Sequence, residues 1–64
     1  MTTIIVTFNL DETATILWAD AENTYIRRTT HTISAMKWMA KQGLEFTWTK
    51  TDDGLEQAIW EKAQ

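Results

Sequence analysis

Asp20-Ala21-Glu22-Asn23-Thr24-Tyr25-Ile26-Arg27-Arg28-Thr29-Thr30 is the stretch on which the fold of this chain turns. Read as a helix, it is capped by Asp20 and runs to Gln42, with Tyr25, Thr29, Ile33, Met36 and Ala40 on one stripe. Read the other way, residues 20–23 are a turn and residues 24–30 a strand. The β-branched density of 24–30 favours the strand, because Ile and Thr lose side-chain freedom in a helix. Asn23 supports the turn, since Asn tolerates a left-handed backbone.

Working outward from there, residues 2–8 are β-branched and aromatic, a strand signal, and Thr13 to Ala19 repeats it. Asn9-Leu10-Asp11-Glu12 between them is a four-residue loop rich in turn formers. Three strands joined by two four-residue loops form a meander. Downstream, Thr32 is an acceptable N-cap, and Ile33, Met36, Lys37 and Ala40 share a helical face. Lys41 suits the last turn, Gly43 the left-handed stop, and Leu44 the apolar contact beyond it. Leu44 to Lys50 alternates as a strand. Asp53-Gly54-Leu55-Glu56 has the pattern of a capping box opening a last helix, with Leu55 and Ile59 inward. The expected fold is α+β, a small antiparallel β-meander with a helix, a further strand and a C-terminal helix (β-β-β-α-β-α), in one domain over residues 1–64. Its expected core is Val6, Phe8, Leu17, Phe46, Trp48, Leu55 and Ile59.

With loops at 9–12 and 20–23, the hairpins pair Ile5 with Ile16, Ile4 with Leu17, Trp18 with Tyr25, Leu17 with Ile26 and Ile16 with Arg27. One face then carries Ile4, Val6, Phe8, Leu17 and Ile26, and the other Ile5, Ile16, Trp18, Tyr25 and Arg27. Both are partly apolar, whereas a sheet with one wet side alternates cleanly. Either the two helices cover opposite faces, or one face meets a partner. A one-residue slip in register would redistribute all these residues.

The chain has 64 residues, four tryptophans (Trp18, Trp38, Trp48 and Trp60), no cysteine and no proline. Tryptophan buries a large surface and carries an N–H that needs a partner, and four are more than so small a core readily absorbs. This composition favours a binding module. Trp38 is expected to project about 200° from Met36 around the helix, towards Ser34, Lys37 and Lys41. Trp48 shares the parity of Leu44 and Phe46. Trp18, Tyr25 and Arg27 are residue types that dominate interface hot spots.

Catalytic chemistry finds little here. His31 and Ser34 are the sole histidine and serine, and the two glycines, Gly43 and Gly54, build no oxyanion or phosphate loop. Asp52-Asp53-Gly54 lacks the further oxygen ligands of a calcium loop. No enzyme activity, cofactor or metal is expected. The net charge of −3 argues against bulk binding to nucleic acid. The start of the chain lacks the basic region and apolar length of a signal peptide or membrane span, so a cytoplasmic location without membrane attachment is expected.

The favoured function is thus a small non-catalytic protein-binding domain, with Trp38, Lys37 and Lys41, or Trp18, Tyr25 and Arg27, as its contact residues. Its size, acidity and lack of cysteine are those of many virus- or plasmid-encoded modulators that block a host protein. The rival is a nucleic-acid binder using the three-stranded sheet through Arg27, Arg28, Trp18 and Tyr25. A subunit of a homo-oligomer, pairing two copies through the second sheet face, is the third reading.

Overall fold

The computed structural model describes residues 2–20 and 25–62. The elements are β1 (Thr2–Phe8), β2 (Thr13–Ala19), β3 (Tyr25–His31), α1 (Thr32–Gln42), β4 (Thr47–Lys50) and β5 (Glu56–Lys62). The strands form one sheet in the order β3-β2-β1-β5-β4, with every neighbouring pair antiparallel. The protein is α+β, and its first three strands are the expected meander. The expected turn at 20–23 lies, apart from Asp20, outside the described residues.

The C-terminal helix is not formed. Asp53-Gly54-Leu55-Glu56 belongs instead to a β-turn region in which Thr51 N–H donates to Leu55 C=O at 2.8 Å and Gly54 N–H to Thr51 C=O at 2.9 Å. Gly54 sits at φ 86°, a conformation open to glycine and closed to a helix start. The residues that follow, Glu-Gln-Ala-Ile-Trp-Glu-Lys, include good helix formers, yet they pair along the whole of β1 from Phe8↔Glu56 to Thr2↔Lys62. Tertiary context wins because β1 is the central strand. Ile4 and Val6 are buried there, and their backbone groups need a ladder on both sides.

Both hairpins of the meander pair one residue away from the sequence expectation. Ile4 faces Trp18, Ile5 faces Leu17 and Val6 faces Ile16, while Trp18 faces Ile26, Leu17 faces Arg27 and Ala19 faces Tyr25. The first slip has a visible cause. Asn9 N–H donates to Thr13 C=O at 2.8 Å, so the loop proper is Leu10-Asp11-Glu12. Glu12 takes a left-handed φ of 64°, as three-residue hairpin loops with a bulge require. Asp11 accepts from the Thr13 hydroxyl at 2.5 Å and from its N–H at 3.3 Å, which pins the bulge. An odd loop in place of an even one moves Ile16 and Trp18 to the face of Ile4, Val6 and Phe8. Ile5, Leu17 and Arg27 share the other face.

α1 covers the first of these faces, touching β2 and β3. His31, rather than Thr32, is its N-cap, with Nδ1 accepting from Ile33 N–H at 3.2 Å. Gly43 ends it in the left-handed conformation, as expected, at φ 66°. Ala35 and Met39 are buried against Ile4, Val6, Ala14, Ile16 and Ala58. Ala14, Ala35 and Ala58 are fully enclosed, and their small side chains let helix and sheet come close. Phe8, Trp38, Leu44, Phe46 and Trp60 close the rim. Of the expected core, Val6 is fully buried, and Phe8 and Phe46 pack beside it. Leu17 and Ile59 lie on the open face, and Trp48 is 56% exposed on the short edge strand β4.

Candidate functional site

On the covered side, alternation along β2 directs Ala14, Ile16 and Trp18 towards α1. The small residue lies under the helix and the indole at the strand's end. In β3, Arg28 stands opposite Ile16. The helix is turned so that Trp38 is half-buried against the core, which corrects the expectation that it points outward. Ile33 and Met36, expected to share a stripe with Lys37 and Ala40, are exposed instead, at 57% and 56%. The rotation follows from Ala35 and Met39, one turn apart, fitting the sheet more closely than the bulkier stripe would. Ile16, Trp18, Arg28 and Trp38 thereby line one groove of about 200 Å³. Trp18 is 39% exposed in it.

Two sequence candidates, Trp18 and Trp38, therefore meet, and they do so beside Arg28. Lys37 and Lys41 are exposed on α1, and Lys41 sits in its last turn, where a cation complements the helix dipole. Arg27 is separated from the groove by strand parity. Tyr25 stands opposite Ala19, and Arg27 opposite Leu17 on the open face. Trp18 and Tyr25 are thus not cross-strand partners.

The segment that supplies Arg28 and Trp38 to the groove carries a single sign of charge. Every ionised side chain from Tyr25 to Leu44 is basic, namely Arg27, Arg28, Lys37 and Lys41. Glu45, Asp52, Asp53, Glu56 and Glu61 belong to β5 and the segments flanking β4, at the other edge of the sheet, while Asp11, Glu12 and Asp20 flank β2. Ile16 and Arg28 are the groove residues outside the favoured contact set, because the pairing that sets them opposite one another is one residue away from the sequence expectation.

At the opposite edge, Trp48 stacks on Phe8 with ring centroids 5.7 Å apart and an interplanar angle of 18°. It walls a shallow depression of about 460 Å³ with Thr49, Lys50 and Glu56. α1 packs chiefly on β2 and β3, and at this edge strand Phe8 is the ring's partner. Trp60 is half-buried at the rim of the core. His31 is exposed and engaged as a helix cap.

Comparison with protein-family models, with curated proteins and with solved structures returns no match. Among the described residues, no helix is long and apolar enough to cross a membrane.

Proposed function

We propose that this chain is a non-catalytic protein-binding domain, a modulator of the virus- or plasmid-encoded kind that acts by occupying a surface of another protein. The observation that carries this reading is the groove of Ile16, Trp18, Arg28 and Trp38, two sides of which come from the acid-free segment between Tyr25 and Leu44. Two indoles offer large desolvation area at little cost in rotamer entropy, and Arg adds a directional donor. The neighbouring Lys37 and Lys41 of α1 speed encounter with an acidic partner. The occupant that fits is an apolar or aromatic side chain flanked by carboxylates.

Nucleic acid is served less well. Alternation along β3 sends Arg27 and Arg28 to opposite faces, so the pair does not form one phosphate-contacting patch. The test is affinity capture from the cell that makes the protein, using wild type beside Trp18→Ala and Arg28→Ala, followed by titration of the recovered partner. One stoichiometric acidic protein is expected, with Trp18→Ala weakening it by at least about 2 kcal/mol while the fold persists. Recovery of nucleic acid that is released by salt would displace this reading in favour of the rival.

A further inference from the structure

The face of the sheet opposite α1 carries an apolar row without a second layer among the described residues. Leu17, Ile5 and Ile59 are cross-strand neighbours on β2, β1 and β5, and all three are half-buried by the sheet alone. Arg27 extends the row on β3 and Thr47 on β4. Two shallow depressions divide the face. One, of about 320 Å³, includes Ile5, Leu17 and Arg27; the other, of about 560 Å³, includes Ile59, Glu45 and Glu61.

We infer that this face binds a second copy of the same chain, forming a two-layer sheet sandwich with a helix on each outer side. Its charges are self-complementary. A two-fold axis lying between the sheets along β1 exchanges left and right, which sets Arg27 of one copy over the Glu45–Glu61 side of the other. An axis across the strands would stack Arg27 on Arg27, so the charges select the first arrangement. The apolar row is centred on β1, the middle strand, and stays in register under that rotation.

The size suffices. Five strands about 4.8 Å apart, the longer ones of seven residues at about 3.4 Å each, give a face of roughly 500 Å² per copy. A pair buries about 1,000 Å², the scale at which specific interfaces begin. Desolvation is eased because polar groups on the face already bond one another. Gln57 Nε2 donates to the Thr7 hydroxyl at 2.9 Å, and Asn9 Nδ2 to the Thr13 and Thr15 hydroxyls at 3.1 and 3.2 Å. This contact is independent of the Trp18–Trp38 groove, which lies on the other face and stays open in the pair.

Sedimentation equilibrium of the full chain tests it. From about 1 µM to 1 mM the mass should rise from 7.4 kDa towards twice that value. Leu17→Lys should keep the far-UV spectrum of the wild type and remain monomeric. Arg27→Glu should weaken pairing at least tenfold, and combining it with Glu45→Lys and Glu61→Lys should restore most of the loss. A wild type that is monomeric at 1 mM overturns the inference. So does a dimer that tolerates Leu17→Lys but is lost with Met36→Lys, which would put the contact on the exposed stripe of α1, or a charge swap that fails to rescue.

Discussion

The two faces of one five-stranded sheet carry aliphatic side chains from the same strands, yet they have different fates. Ile4, Val6 and Ile16 are 2%, 0% and 5% exposed, whereas Ile5 and Leu17, next to them in sequence, and Ile59, opposite Ile5 across the ladder, are only half-buried. Composition does not separate them. What does is α1, which packs through Ala35 and Met39 on the face where Ala14 and Ala58 leave room. One face is a core, and the other is a surface built of β-branched residues and threonines.

The sharpest way to break that comparison is to make the same deletion on each side. Ile16→Ala should cost about 2–4 kcal/mol, because it opens a cavity under α1. Leu17→Ala, next in sequence, should cost less than about 1 kcal/mol when measured on the monomer at low concentration. Chemical denaturation of both variants checks this, and equal losses would mean that the open face is covered in solution.

A smaller effect probes the loop that assigns residues to faces. Glu12 is a non-glycine residue at φ 64°. Glu12→Gly should raise stability by about 0.5–1 kcal/mol, since relief of the left-handed strain exceeds the added chain entropy of glycine. A loss on that substitution would argue for another loop geometry, and with it another register.

The smallest effect is the pH response of the same loop. The hydrogen bond from the Thr13 hydroxyl holds the Asp11 carboxyl below its ordinary value of 3.8, against an opposing desolvation and with a smaller contribution from the Thr13 N–H. A depressed folded-state value means that this stabilisation is present above the ordinary value and fades as pH falls through the lowered one. Carboxyl-carbon NMR titration should show a low midpoint for Asp11 that returns to the ordinary range in Thr13→Val. An Asp11 midpoint at or above 3.8 in the wild type would remove the pin from the hairpin.

Much of the architecture is readable from local chemistry. The strand character of 2–8, 13–19 and 24–30 (Tyr25–His31 in the structure), the helix after it, and the stop at Gly43 follow from β-branched density and from the left-handed freedom of glycine. The meander was therefore accessible, including the strand at Arg27 and Arg28. The candidate site was half accessible. Trp18 and Trp38 stood out as aromatics, but their meeting beside Arg28 required a register and a helix rotation that side-chain periodicity assigns differently.

What the amino-acid order determined by itself is where the chain extends, turns and coils, because those choices are made by each residue's own backbone preferences and its near neighbours. Tertiary structure alone decided three further matters. A three-residue loop in place of four sent Ile16 and Trp18 under the helix. The fit of Ala35 against the sheet turned Trp38 inward and Met36 out. The open side of β1, whose buried backbone needed hydrogen-bond partners, drew the helix-prone segment from Glu56 to Lys62 into a strand. Each depends on what lies across the fold, and no local propensity carries that information.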